Sequence, residues 1–148
     1  MISTNKNIPH KAVEADRISY RLSRAKESFE EAELLATHKS WNGCLDRLFN
    51  SCYRMASALL LKHGIVTKTH SGLNTEFGKH FVKTGSIPEE EGILLANITR
   101  WKYESDFGGI DSINKEVVNP LIPQVKKFLK DIEVLINTDE TKSKNKKR

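Results

Sequence analysis

From Trp41 to His63 the chain carries an apolar surface too wide for a helix at the edge of a fold. Trp41, Leu45, Leu48, Cys52, Met55 and Leu59 alternate steps of four and three, which draws one stripe along a helix. Phe49, Ala56 and Leu60 widen that stripe. A helix apolar over so much of its circumference must be covered on several sides, so it belongs at the centre of a bundle. Gly64 follows it at the position where glycine commonly closes a helix.

Other segments supply the cover. Ile18, Leu22, Ala25, Phe29, Ala32 and Ala36 give a narrow stripe between charged flanks, predicting a first helix from about Asp16 to Thr37 that packs on one side. A shorter third helix is expected from Ser71 to Lys83, closed by Gly85. Pro88 with Glu89, Glu90 and Glu91 opens a fourth, since proline suits the first helical position and acids complement the helix dipole there. It should end before Gly108-Gly109. Val118, Leu121, Val125, Phe128, Ile132 and Leu135 carry a fifth, with Asn119-Pro120 as cap and first-turn proline. No strand-like alternation stands out. The expected fold is all-α, an up-and-down bundle of four long helices plus one shorter helix.

At 148 residues, 38% hydrophobic and 29% charged, the chain suits one such domain. We place a flexible N-terminus at 1–12, the bundle at 13–137 and a disordered basic tail at 138–148. The tail holds five of the basic residues against Asp139 and Glu140, so about +2 of the net +5 is left for the bundle. The basicity is therefore mostly that of a solvated tail, which could add salt-sensitive RNA affinity. No apolar run approaches the ~20 residues of a membrane span, and Met1 to His10 lacks the apolar core of a secretory signal. A cytoplasmic protein is expected, with no membrane partner.

Familiar chemistries find little support. The five histidines, His10, His38, His63, His70 and His80, form no metal-binding spacing. Cys44 and Cys52 read as buried thiols, since residues eight apart on one helix cannot bridge each other. Phosphate-loop, dinucleotide and esterase motifs are absent. No metal and no cofactor are expected.

Two segments exceed what a helix connection needs: Lys68-Thr69-His70-Ser71-Gly72, and the run from Phe77 to Gly85 containing Lys79-His80. With Asp46-Arg47 before them and Ser105-Asp106-Phe107 after, they resemble the HEPN family of small helical "higher eukaryote and prokaryote nucleotide-binding" domains. The nearer likeness is to its small standalone bacterial and archaeal members, over roughly Arg17 to Ile136. The resemblance implies a helical bundle that commonly pairs as a homodimer. It also implies an RNA-directed role in a toxin–antitoxin or defence pair, usually beside a minimal nucleotidyltransferase.

Nuclease members are similar in carrying an arginine and, four to six residues later, a histidine near the end of the fourth helix. That pair would give a proton carrier and a phosphate ligand. Arg100 stands at the corresponding place, but His80 is the last histidine in the chain. In one alignment the toxin histidine and tyrosine fall on Ser105 and Phe107. In the other, Ser105-Asp106-Phe107 matches an Ala-Asp-Tyr-like ending and the family arginine falls on Lys102. Asp46-Arg47 resembles a family Asn-Arg pair, although Phe49 and Asn50 replace the tyrosines that usually follow.

Each candidate has a plain structural alternative. Arg47 could bridge to Asp106 or Glu104, pinning the second helix to the fourth. Otherwise Arg47, Lys68, His70, Arg100, Lys102 and Asp106 are the candidates for contact with a nucleotide or RNA. Thr69 or Ser71 could cap the third helix, with His70 bonded to loop carbonyls. Phe77 and Phe81 suit the core, while Lys79 and His80 suit the surface. Arg100 and His70 are the candidate catalytic residues, His70 being the stand-in for the missing histidine. Three functions follow: an RNA- or nucleotide-binding HEPN component with an incomplete nuclease motif, a non-enzymatic dimeric interaction module, or an endoribonuclease with a substitute base.

Overall fold

The computed structural model describes residues 10–108 and 112–146, with side chains described for 13–108 and 112–138. Most of the expected flexible N-terminus therefore lies outside the described residues. Four long helices frame the fold: α1 (His10–Thr37), α2 (Trp41–Lys62), α4 (Glu89–Phe107) and α6 (Leu121–Lys146). Between them lie α3 (His70–Phe77), which runs on into a π-helical turn (Gly78–Val82), and the single turn α5 (Lys115–Val118). There is no strand among the described residues. The all-α bundle read from the sequence is the fold of the protein.

Helix α2 is its axis, packing against α1, α3, α4, α5 and α6. Cys44, Leu45, Leu48, Cys52, Met55, Ala56, Ala58 and Leu59 are wholly excluded from solvent. Burial pushes the Cys44 thiol up to about 11 and raises Cys52 further, so both remain protonated hydrophobes. Gly64 ends the helix at φ +74°, a left-handed conformation that favours glycine. Lys62 donates to the Ile136 carbonyl, tying this end of α2 to α6.

Several boundaries differ from expectation, each for a local reason. Helix α1 begins at His10, ahead of its first apolar residue, because helical backbone can continue where no side chain needs burial. Pro88 is the cap residue of α4, extended at ψ 146°, and the helix starts one residue later. Asn119 is helical and Asn114 provides the side-chain cap, accepting from Val117 N at 3.1 Å, so α5 is a separate turn. Helix α6 continues to Lys146, through most of the segment expected to be a disordered tail.

The third helical segment is not uniform. Lys83 N donates to the Gly78 carbonyl at 2.8 Å, the five-residue reach of a π turn. Phe77 and Phe81 both still enter the core, with ring centroids 6.1 Å apart. Ile87 N then donates to the Phe81 carbonyl at 2.9 Å, folding the connection back beneath the helix. Asn74 Nδ2 donates to Thr99 Oγ1 at 3.2 Å, which sets α3 against the second half of α4.

Candidate functional site

Asp46 and Arg47 are adjacent on α2, at the boundary between its buried face and solvent. Arg47 reaches back to α1, its Nε 3.0 Å from Glu31 Oε1, and its Nη1 donates to Asp46 Oδ2 at 2.7 Å. The other Asp46 oxygen receives Lys102 Nζ from α4 at 2.7 Å. Lys102 also donates to Asp106 Oδ1 one turn along, at 3.0 Å. Partial burial disfavours the Lys102 charge, but the hydrogen bonds to Asp46 and Asp106 outweigh it and raise its pKa.

These contacts form an ionic ladder, Glu31–Arg47–Asp46–Lys102–Asp106, across three helices. The pin between α2 and α4 expected from the sequence thus exists with different partners. Asp46 and Lys102 make it, while Arg47 turns to α1. Ser105 adds a second tie, its hydroxyl donating to Asn42 Oδ1 at 2.8 Å.

Arg100 lies apart from the ladder. It is exposed, with its guanidinium 5.8 Å from the Trp101 ring centre. The two residues line a cleft of about 460 Å³ with Glu104 and Ser112. On the same helix Tyr103 is 66% exposed and Phe107 74%, and their ring centroids are 4.9 Å apart. An exposed arginine on a helix that also presents two open aromatic rings can meet a phosphate and stack bases, or meet a second protein surface.

His70 opens α3, whose cap is Thr69, its hydroxyl accepting from Gly72 N at 2.8 Å. The imidazole rests edge-on against Phe49 and Tyr53, with ring centroids 4.9 Å and 4.8 Å away. It lines a polar cleft of about 370 Å³, together with Arg21 of α1, Tyr53, Arg54 and Ser57 of α2, and Thr67. Lys68 is exposed in the neighbouring loop and lines neither cleft. His80, on the π turn, faces Glu76 at 3.4 Å.

The structure therefore groups Arg47, Lys102 and Asp106 in the ladder, and gives Arg100 and His70 to clefts that share no lining residue. Sequence reasoning passed over Arg21 and Arg54. A signal for Arg54 was available, because it is the lone charge between Arg47 and Lys62 on a helix otherwise devoted to the core.

Comparison with known proteins agrees with this architecture. The HEPN domain model matches residues 18–135. A "UPF0332 protein" of Thermotoga maritima is 31% identical over 119 residues, covering 80% of this chain and 90% of its own length. Two Methanocaldococcus jannaschii proteins, named "Putative toxin MJ0605" and "Putative toxin MJ0142", are 24% and 27% identical, over 79% and 84% of this chain and 92% and 85% of their own. No helix among the described residues is long and apolar enough to cross a membrane. On the fold, the span of the match and the shared length of these relatives, this chain belongs to the HEPN domain family.

Proposed function

We propose that this HEPN protein is the RNA- or nucleotide-binding member of a toxin–antitoxin or defence pair, acting by binding rather than by cutting RNA. The toxin half of the reading rests on the names of the two archaeal relatives. The binding half rests on one observation. Arg100 is presented to solvent on a helix that also exposes the Tyr103 and Phe107 rings, while the one histidine proposed as proton carrier, His70, lines a different cleft and leaves the Glu104 carboxylate as the ionisable side chain beside Arg100. General acid–base catalysis needs the proton carrier within hydrogen-bond reach of the reacting oxygen, and removing it typically costs ~10²–10⁴-fold. Ser105 does not supply it, since its hydroxyl already donates to Asn42. The partner expected on family grounds is a minimal nucleotidyltransferase, with a homodimer of this chain as the binding unit.

The test is incubation of the purified chain with cellular RNA in chelator, beside Arg100→Ala and His70→Ala. The expected result is no cleavage by the parent and weaker RNA retention by Arg100→Ala. Robust cleavage lost in both variants would establish the endoribonuclease alternative, with His70 as substitute base.

A further inference from the structure

The Arg21–Arg54 cleft holds positive charge that the fold leaves unmatched. The basic residues of the ladder are neutralised, Arg47 by Glu31 and Asp46, Lys102 by Asp46 and Asp106. Among the described residues, no carboxylate lies within 4 Å of Arg21 or Arg54, and none lines the cleft they share with His70. Arg54 Nε is moreover shut off from solvent without a hydrogen-bond partner. A buried donor left unpaired is costly, and such groups are normally satisfied by a protein group, water or a ligand. Among the described residues, the two guanidiniums that line the cleft thus lack an acceptor.

The rest of the lining narrows its chemistry. Ser57 and Thr67 add hydroxyl donors beside the two guanidiniums, and His70 adds a ring nitrogen. A carboxylate has two oxygens to offer this set. A terminal phosphate has three, and guanidinium groups engage it in paired hydrogen bonds. The same cleft carries an aromatic wall, His70 set edge-on against Phe49 and Tyr53, with the imidazole itself exposed. Its volume of about 370 Å³ falls in the range of small-ligand sites. We propose that the Arg21–Arg54–His70 cleft binds one nucleotide unit through its terminal phosphate, with Arg21 and Arg54 holding the phosphoryl oxygens and the base lying against the His70 and Tyr53 rings. The inference rests on the RNA- or nucleotide-binding reading above and gives it a location away from Arg100.

Two sources carry this chemistry, a free mononucleotide and the 5′ end of single-stranded RNA, and calorimetric titration of the full chain separates them. The probes are adenosine 5′-monophosphate, adenosine, and a short adenylate RNA with either a 5′-phosphate or a 5′-hydroxyl. Each phosphorylated probe should bind at least about tenfold tighter than its unphosphorylated counterpart, in line with charge-assisted hydrogen bonds. Preference for the monophosphate indicates a free nucleotide, and preference for the phosphorylated RNA indicates a strand end. Arg54→Gln and Arg21→Gln should each weaken binding about tenfold at unchanged melting temperature. Arg54→Lys, which keeps the charge and loses the fork, should fall between and serves where the glutamine variant is unstable. Equal binding of phosphorylated and unphosphorylated probes overturns the proposal. RNA binding that is insensitive to both arginine variants but weakened by Arg100→Ala overturns the cleft and leaves the RNA-binding reading standing. Binding of the monophosphate through Arg54, with no RNA binding, does the reverse for the RNA half of that reading.

Discussion

At the scale of single residues, Glu91 departs furthest from what its sequence context suggests. It follows Glu89 and Glu90 in the first turn of α4 and reads as one more acid complementing the helix dipole. Instead it is 4% exposed, its Oε2 receiving Lys127 Nζ from α6 at 2.9 Å, while Oε1 is shut off from solvent. Burial first, and then a hydrogen bond shared with Asp131, push its pKa up to about 7 against the opposing pull of Lys127. Asp131 is shifted the other way because it accepts from Glu91. A carboxyl whose folded pKa lies above its unfolded value is favoured protonated by folding. Its contribution is therefore best below pH 4.5, and stability falls as pH rises toward 7. The Glu91→Gln variant, neutral and of the same shape, should melt above the parent at pH 8, with the gap closing toward pH 5. Calorimetric scans across that range check this, and a variant less stable at pH 8 would mean that the Lys127 pair outweighs the burial. Nothing local in Glu89-Glu90-Glu91 distinguishes the third acid. The distinction comes from α6, some 36 positions further along the chain, and is for that reason invisible to a reading of one helix.

At the scale of elements, what was legible was what periodicity encodes. The wide apolar face of α2 announced a central helix, and α2 is the one that touches nearly all the others. Helix ends were read less well, because a single hydrogen bond decides them. The α1–α2 turn is an example. Ser40 N donates to the Leu35 carbonyl at 2.9 Å and Lys39 N to Ala36 at 3.0 Å, a closure that forces Lys39 to φ +57°. A left-handed conformation costs a residue with a side chain roughly 1–2 kcal/mol, and glycine relieves it at some cost in unfolded-state entropy. Lys39→Gly should raise stability by about 0.5–1 kcal/mol, seen as a melting temperature higher by ~1–4 °C. The ladder offers a complementary test, since Asp46 is the acceptor joining α2 to α4. Asp46→Ala should destabilise by roughly 1–3 kcal/mol in chemical denaturation, with its half-exposed partners keeping the loss moderate. An unchanged midpoint would show that the ladder contributes little to the fold.

For the molecule as a whole, the residues that carry the family likeness were visible in the sequence, but their grouping, and Arg21 and Arg54 beside His70, were not. Arg47, Lys102 and Asp106 could be named from motif likeness, yet only packing reveals that they face one another rather than a ligand. The outer side of α4 is the reverse case. Ile93, Tyr103 and Phe107 are 53%, 66% and 74% exposed on a helix whose Leu94, Leu95 and Ile98 are already buried. Such a run of open apolar side chains around Arg100 suits the expected homodimer. Light scattering at roughly tens of micromolar should give twice the chain mass, and Tyr103→Glu with Phe107→Glu should return a monomer of nearly unchanged melting temperature. A parent that is monomeric under those conditions removes the dimer from the functional reading. One further consequence concerns how this chain lines up with its kin. A π turn holds one residue more than the α turn it replaces, so Gly78–Val82 is where the chain can lose a residue without disturbing the register on either side. A relative one position shorter is expected to carry its gap there, with an unbroken helix and the counterparts of Phe77 and Phe81 three apart instead of four, still sharing one face.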